Sequence, residues 1–392
     1  MSVESWASDD VLGMILARTG GESWVARAAC RAFRRAAPPR ERQTVESATS
    51  SVERARVAVT QLGLPSRLLC CGAARCGRLD VLEWAIDSGY AYQPTRVQLA
   101  AAAYGRTGVL GWARARGDSI DPDVLRAAAA GGHVATLEWL ANYGLLFTWG
   151  NPSAPLEAAA RAGHVGVLEW GAARHLRFGV GVFGAAARGG HLHVMEWLWD
   201  RGYPREGFVC CEAAAGGHVE ALEWLVRRGC RLNGGESLSA ATYARVAVLE
   251  WLRGAGATLD PLLCRQAATG GHIGVLEWAR THGLRCDRWA ARDAARAGQL
   301  GVLEWLMRDG AVLDAGVCAA AARGSHLRVL EFLRSRGCEW DADTCSAAAR
   351  AGSLETLQWA SRNGCVVDSA AALRAALESG HLEVARWIER HL

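Results

Sequence analysis

A tryptophan in the local pattern Leu-Glu-Trp recurs along this chain with a period close to 27 residues. A fixed period of this size is typical of repeat proteins, in which each copy packs only against its neighbours. The spacings are 28, 27 and 31 residues, then 27 seven times, and finally 28. The recurring aromatic residues are Trp84, Trp112, Trp139, Trp170, Trp197, Trp224, Trp251, Trp278, Trp305, Phe332, Trp359 and Trp387.

The columns of the repeat predict two helices per copy. We count positions from the recurring aromatic residue, position 0, and number the copies as repeats 1 to 12. Ala stands at −11 in all twelve copies, Gly at −7 in ten, Leu or Met at −2 in eleven, and Gly at +5 in ten. Apolar residues at −5 and −2 share one helical face, so positions −5 to +4 predict an amphipathic helix that ends at the +5 glycine.

Positions −15 to −8 predict a shorter first helix whose paired alanines allow close packing, and the −7 glycine makes the turn between the two helices. Neither helix buries its apolar face alone, so the copies must stack. The expected fold class is all-α, a helical solenoid of about twelve two-helix repeats over residues 66–392.

The basic residues are all of one type. All 44 are Arg, and with 40 Asp and Glu they leave a net charge of +4. An excess this mild does not predict nucleic-acid binding on charge alone, so no nucleic-acid partner is expected. The alternative is nucleic-acid binding along a column of arginines, which would show steep salt dependence. No apolar run approaches the length of a membrane span, and the first residues do not resemble a signal peptide, so no membrane partner is expected. The missing Lys has two explanations, a GC-rich coding sequence or selection against lysine modification.

Cysteine and histidine do not predict a metal site. The 13 cysteines include no CxxC motif, and reduced thiols in the cytoplasm or the nucleus are expected. His stands at −6 in seven copies, but rings roughly 10 Å apart cannot share one ion, so this His is predicted to hydrogen-bond backbone at the start of the second helix. Five cysteines share position −14, where a small buried residue is expected: Cys70, Cys210, Cys264, Cys318 and Cys345.

The aromatic and acidic columns predict packing and solvation. A row of aromatic rings is also a stacking platform for bases or glycans, but its phase with the apolar positions favours packing between neighbouring repeats. Glu stands at −1 in nine copies. We expect it to form exposed ion pairs with Arg one turn later, as for Glu223 with Arg227 and Glu304 with Arg308.

Motifs of catalysis are absent from the sequence. There is no Walker A motif, no HExxH and no GxSxG. Twelve similar copies also lack the single converging pocket that an enzyme needs. The sequence therefore predicts a protein that is not an enzyme and uses no cofactor.

The segments AAAGGHVATLEWLANYG (128–144) and AAAGGHVEALEWLVRRG (213–229) resemble the second half of ankyrin repeats. The copies are shorter than the ankyrin unit of about 33 residues and lack its TPLH signature. In this they are similar to arrays encoded by large DNA viruses of amoebae, such as the pandoraviruses. The resemblance implies an ankyrin-like array that binds protein in a groove beside its first helices.

Arg recurs at −9, the end of the predicted first helix. In an ankyrin-like arrangement this column borders the concave groove, where it could receive an acidic or phosphorylated segment of a target protein. The alternative is ordinary solubilising charge, or charge that favours the C-terminal end of the helix. Arg75 belongs to the column, and the candidate target-binding residues are Arg161, Arg188, Arg296, Arg323 and Arg350.

Residues 1–45 precede the repeat and contain two predicted helices, one in SDDVLGMILARTG and one in ESWVARAACRAFRRAA. Their layout resembles an F-box, the module that docks substrate receptors onto a Skp-type adaptor of cullin-RING ubiquitin ligases. The usual Leu-Pro opening is missing, and Trp6-Ala7 stand there instead. The resemblance implies adaptor contact through Leu12, Ile15, Leu16 and Phe33. The alternative is a helical cap on the first repeat, and residues 46–65 are expected to be a degenerate capping repeat or linker.

These expectations combine into one hypothesis. The chain is a non-catalytic, monomeric adaptor that links an unknown target protein, held by residues 66–392, to a Skp and cullin-type ubiquitin ligase of a host. It acts in the cytoplasm or nucleus. A receptor without Lys would offer no side-chain amine for self-ubiquitination. The alternative is a plain ankyrin-repeat scaffold in which residues 1–45 only cover the end of the stack.

Overall fold

The computed structural model describes residues 49–60, 66–144, 153–204, 207–284, 286–311 and 313–391. Within these residues the protein is all-helical, with 25 α-helices and no strand, and this confirms the predicted class of helical repeat solenoid. The chain divides into two compact units, unit 1 (Met1–Arg205) and unit 2 (Glu206–Leu392).

The described part of unit 1 holds eleven helices, one single helix and five pairs. The single helix is α1, and in each pair the first helix has an even number. The helices are α1 (Val52–Thr60), α2 (Ser66–Cys76), α3 (Leu79–Asp87), α4 (Pro94–Ala103), α5 (Thr107–Ala115), α6 (Asp123–Ala130), α7 (Val134–Asn142), α8 (Ala154–Ala162), α9 (Val165–Ala173), α10 (Gly181–Gly189) and α11 (Leu192–Asp200).

The described part of unit 2 holds seven pairs numbered in the same way. They are α12 (Val209–Gly216), α13 (Val219–Arg227), α14 (Gly235–Thr242), α15 (Val246–Gly254), α16 (Leu263–Gly270), α17 (Ile273–Thr281), α18 (Arg288–Arg296), α19 (Leu300–Arg308), α20 (Ala315–Arg323), α21 (Leu327–Ser335), α22 (Ala342–Arg350), α23 (Leu354–Arg362), α24 (Ser369–Glu378) and α25 (Leu382–His391).

Each unit is built by stacking these pairs. Within a unit, consecutive first helices approach each other more closely than consecutive second helices do. The cause lies in the alanine columns at −11 and −10, because small side chains let helix axes come close. The core between the two layers consists of these alanines and of the second-helix residues at −3 and −2, as in Val275 and Leu276, which are fully buried.

The two glycine columns adopt left-handed backbone, as a turn between helices and a helix end require. Glycines at −7 and +5 have φ between 68° and 90°. In the described residues, three residues other than glycine have positive φ: Ala244 and Ser325 at −7 and His175 at +5. They stand at the described positions where these two columns lack glycine. The predicted turn and helix stop are therefore confirmed at the level of the backbone.

Some sequence predictions lie outside the described residues. The F-box-like module and its four proposed contact residues fall within residues 1–48. The 31-residue spacing between Trp139 and Trp170 comes from four extra residues within 145–155, and most of this segment also falls outside, because residues 145–152 are not described. The expected capping segment is described only in part, by α1, which contacts α2 and α3. No helix in the described part of the chain is long and apolar enough to span a membrane.

Candidate binding surface

The proposed target-binding arginines all lie in the last turn of a first helix. In unit 1, Arg161 lies on α8 and Arg188 lies on α10, two successive first helices that pack against each other. In unit 2 the other three lie on α18, α20 and α22, which also pack in succession. Arg188 is half-buried and the others are exposed; they are Arg161, Arg296, Arg323 and Arg350.

The backbone carbonyls at −9 accept hydrogen bonds from the following repeat. The side chain at −6 of one repeat bonds the −9 carbonyl of the repeat before it, at 2.8–3.1 Å. We call this series the carbonyl ladder. Its members are His133 with Ala103, His164 with Ala130, His191 with Arg161, His272 with Thr242, Arg106 with Arg75, Arg245 with Ala215 and Gln299 with Thr269.

The ladder corrects one prediction about the histidine column. The −6 side chain does bond backbone, as expected, but the backbone belongs to the end of the preceding first helix and not to the start of its own second helix. The reason is that the second helix begins beside the neighbouring repeat, whose last first-helix carbonyls have no intrahelical partner. Arg and Gln also carry N–H donors of suitable length, so they replace His in some repeats.

The −7 glycine makes room for this ladder. A Cβ built on Gly163 would lie 2.8 Å from Nδ1 of His191 in the next repeat, and Gly132 stands in the same relation to His164 at 2.7 Å. When an added Cβ lies less than 3.0 Å from another heavy atom, one of the two residues must move. Glycine is therefore needed at −7 both for its positive φ and for the close approach of the next repeat.

A second ladder joins the second helices. The indole nitrogens of Trp112, Trp170 and Trp278 donate to the −1 glutamates of the preceding repeats, Glu83, Glu138 and Glu250, at 3.1, 3.0 and 2.6 Å. We call these bonds the indole ladder. The aromatic residues of the column are buried or half-buried, which confirms a packing role.

The acidic column is thus only partly explained by the predicted ion pairs. Glu223 does pair with Arg227 at 2.9 Å. Arg308, however, donates to the backbone carbonyl of Glu304 and not to its carboxylate. Since the indole of the next repeat lies within reach of the same column, sequence reasoning confined to one helix missed this partner.

The cysteines at −14 are buried, as predicted. Four of them face a cysteine in the loop after the second helix of the same repeat, and Sγ of Cys318 lies 3.6 Å from Sγ of Cys338. Burial, followed by the neighbouring thiol Cys230, raises the pKa of Cys210 to about 12. All these thiols are free. Within the described residues no group of His, Cys, Asp and Glu is arranged to hold a metal ion.

Charge is distributed unevenly between the two helix layers of unit 1. The second helices there carry one arginine, Arg114, against seven acids: Asp80, Glu83, Asp87, Glu138, Glu169, Glu196 and Asp200. The first helices show the reverse, since Asp123 and Glu157 are outnumbered by Arg75, Arg96, Arg126, Arg161 and Arg188. The layer formed by α2, α4, α6, α8 and α10, here named the first-helix face of unit 1, is therefore cationic.

One cluster on the first-helix side of unit 2 is different because its arginines already have acidic partners. Arg265 bonds Asp293 at 2.7 Å, and Arg292 bonds Asp314 at 2.7 Å. Both arginines also lie near the exposed ring of Trp289, at 5.8 and 4.8 Å from its centroid. Charge in this cluster is balanced internally, so it offers less attraction to an anion than the face of unit 1.

A groove of about 420 Å³ opens on the first-helix face of unit 1, across α2, α4 and α6. Arg75, Arg96 and Arg126 line it together with Tyr104, and its lining includes no acid. Sequence reasoning missed Arg96 and Arg126, which stand outside the −9 column. The available signal was the alanine at −9 in repeats 2 and 3, which interrupts the arginine column and leaves a depression.

The solved structures to which this chain is similar include helical repeat proteins, at low identity and low TM-score. No family model and no curated protein matches the chain. The crystal structure of the pentatricopeptide repeat protein PPR10 from maize matches at 13% identity and a TM-score of 0.27, covering 100% of this chain and 72% of that one. A cysteine-to-serine variant of PPR10 in complex with an 18-nt PSAJ RNA element matches at 13% identity and a TM-score of 0.31, covering 100% and 71%.

These similarities concern the arrangement of helices alone. The matched structures are pentatricopeptide repeat proteins, whereas the sequence had suggested ankyrin repeats. The exclusion of nucleic acid as a partner was wrong, since two of the matched helical-repeat structures contain RNA. The physical reason is that a net charge of +4 averages over the whole chain. Phosphate binding depends on local charge, and the first-helix face of unit 1 is cationic although the chain is nearly neutral.

Proposed function

We propose that this chain is a non-catalytic binding scaffold that holds an acidic, extended segment of a partner protein on the first-helix face of unit 1. The observation that carries the proposal is the separation of charge between the two helix layers of that unit. A surface with one sign of charge attracts a ligand of the opposite sign and raises its rate of association. Arg161 and Arg188 extend the cationic face beyond the groove and are proposed to contact the same segment.

A charge-reversal experiment tests this function. Arg161→Glu with Arg188→Glu should weaken binding of a fluorescein-labelled Glu-rich peptide by about tenfold at low salt, because two favourable charges become unfavourable. The matched control is Arg253→Glu with Arg362→Glu, which makes the same charge change on the second helices α15 and α23 of unit 2. Circular dichroism must show that both double variants are folded.

Equal losses in the two double variants would mean that only net charge matters, and the proposed face would then be rejected. The same would follow if the peptide bound neither double variant nor the unaltered chain. Loss confined to Arg161→Glu with Arg188→Glu places the ligand on the first helices of unit 1.

We further propose that the scaffold is a substrate receptor of a Skp and cullin-type ubiquitin ligase. What supports this is the F-box-like sequence of residues 1–45 and the absence of Lys. Full-length chain should retain purified Skp-type adaptor in a pull-down, whereas Leu12→Asp with Phe33→Ala should not. Adaptor binding by neither protein, with residues 46–392 aggregating when expressed alone, would instead make residues 1–45 a cap on the stack.

A further inference from the structure

We propose that the groove across α2, α4 and α6 is a recognition pocket for a phosphorylated side chain, a phosphoserine or phosphothreonine within the acidic segment. This inference rests on the proposed function, because it specifies the group on the partner, a phosphorylated side chain, that the scaffold recognises. Its basis is the placement of Arg75, Arg96 and Arg126 around a floor of small side chains on three successive helices.

The floor exists because alanine replaces arginine at −9 in repeats 2 and 3. Ala103 and Ala130 occupy this position, and Ala100 and Ala127 lie one turn before them on the same helices. In six other repeats an arginine stands at −9. The depression lies in repeats 1 to 3, and it has room for a side chain to enter.

Two of the arginines around this floor, Arg75 and Arg96, are available to bind an anion. Within the described residues Arg96 forms no ion pair or hydrogen bond, and the contact of the Arg75 guanidinium is the ring of Tyr104, 5.7 Å away. Both charges reach the thiol of Cys71 in the groove, where they oppose the rise of its pKa caused by burial. Arg75 on α2 and Arg96 on α4 thus place positive charge near the same thiol, that of Cys71.

The third arginine is only loosely held. Arg126 bonds Asp123 at 3.2 Å, but both side chains are 57% exposed. Exposed pairs of this kind contribute little, so a ligand with a higher charge displaces the carboxylate. A phosphate monoester carries a charge of about −1.5 to −2 and three acceptor oxygens, and it matches the planar donor fork of Arg.

The lining favours a peptide over single-stranded nucleic acid. Binding of single strands usually relies on several aromatic rings on which successive bases stack. The groove has one ring, Tyr104, and the guanidinium of Arg75 covers it. The apolar remainder, with Leu99 and the alanines, suits the methylene or methyl group of a phosphorylated residue and the short side chains beside it.

The test compares three fluorescein-labelled probes on the full-length chain by anisotropy. The first is a nonapeptide of Glu and Ala with a central phosphoserine, the second is its unphosphorylated twin, and the third is a 12-nt single-stranded RNA. The phosphopeptide should bind about tenfold more tightly than its twin, since its phosphate adds charge-assisted bonds. Arg75→Gln with Arg96→Gln should reduce this preference to less than twofold.

Filling the groove provides an independent variant that preserves the fold. Ala103→Arg installs at −9 the residue that other repeats carry, so the helix should tolerate it. It should abolish the preference for phosphoserine although it adds positive charge. The matched control is Thr269→Arg, which places the same charge at −9 of an exposed site on α16 in unit 2 and should leave the preference intact.

Each of the other outcomes of the binding experiment contradicts a different part of the two proposals. Equal binding of the two peptides overturns the phosphate pocket and leaves the proposed function standing. Absence of binding by either peptide removes both. Tighter binding of the RNA than of the phosphopeptide, lost in Arg75→Gln with Arg96→Gln, would assign the groove to nucleic acid instead.

Discussion

Ala244, Ser325 and His175 hold left-handed backbone, with φ of 57°, 59° and 54°. An L-residue in this region is strained because its Cβ approaches the carbonyl oxygen. At Ser325 the neighbouring repeat compensates in part, since position −6 of repeat 11 is the small Ser353 and not His. Ala244 has no such adjustment, because the next repeat carries His272, which bonds the carbonyl of Thr242 at 2.8 Å.

We predict that Ala244→Gly raises the free energy of unfolding by about 0.5–1 kcal/mol. Relief of roughly 1–2 kcal/mol of strain is partly offset by the greater freedom of glycine in the unfolded chain. Urea denaturation measures the change. Ala255→Gly is the control, because Ala255 is also exposed but has φ of −78°, and it should lower stability. A loss of stability in both variants would contradict the strain at Ala244.

Glycine at −7 is needed for two reasons, the close approach of the next repeat and the positive φ. Substitutions should distinguish the cost of each. Gly163→Ala is expected to lower the free energy of unfolding by more than about 2 kcal/mol, because it adds a collision with His191 to the unfavourable φ of 86°. Gly117→Ala has φ of 90° and nothing within 4 Å of its added Cβ, so it should cost about 1 kcal/mol. Equal losses in urea denaturation would show that the neighbouring repeat yields without cost.

Burial should make the thiols of Cys210 and Cys211 unreactive. The raised pKa values of Cys210, about 12, and Cys211, about 11, leave little thiolate at pH 8.5. We expect iodoacetamide to spare both in the folded protein and to label them in urea, as peptide mass spectrometry would show. Because these pKa values are raised, the stabilisation they give is full below the ordinary thiol pKa and falls as pH rises towards 12. Labelling of Cys210 in the folded chain would refute its burial.

At the scale of helices, each bond of the indole ladder joins a second helix to the one before it. The bond from the Trp278 indole lowers the pKa of Glu250. A lowered carboxyl pKa means that the stabilisation is present at neutral pH and is lost as pH falls through that pKa. Glu250→Gln should therefore shift the urea midpoint downward at pH 7, with a difference that shrinks as the pH approaches 3.

Glu277→Gln is the matched control for this prediction. Glu277 holds position −1 one repeat later and is exposed, and within the described residues it bonds no indole. Its replacement should leave the midpoint at pH 7 nearly unchanged. A shift as large as that of Glu250→Gln would show that the loss of a surface charge, and not of the indole bond, is responsible.

Helices could be predicted from the sequence because a column reports the same environment twelve times. The second helix of repeat 9 was expected at positions −5 to +4 and is observed as α19, from −5 to +3. Its hydrogen-bond partners could not be predicted, because Trp278 and Glu250 lie 28 residues apart and meet only after stacking. The groove was missed for the same reason: Arg75, Arg96 and Arg126 occupy three different columns, so no single column contains it.

At the scale of the whole chain, repeats interact only with their neighbours, and stability is therefore a sum of local terms. Both ladders connect one repeat to the next, as His191 does to Arg161 and Trp170 to Glu138. A defect between two repeats should loosen those two and leave distant ones protected.

Hydrogen exchange on the Gly163→Ala variant tests this locality within unit 1. The substitution lies between repeats 4 and 5, so exchange should accelerate in α8 to α11. Helices α2 and α3, three repeats away, should keep the protection of the unaltered chain, because no ladder bond joins them to the defect. Gly117→Ala serves as the control and should leave α8 to α11 unchanged. Uniform acceleration over all described helices of unit 1 would instead mean that the unit unfolds as a single cooperative body, in which case binding at the groove would be coupled to the stability of every repeat in it.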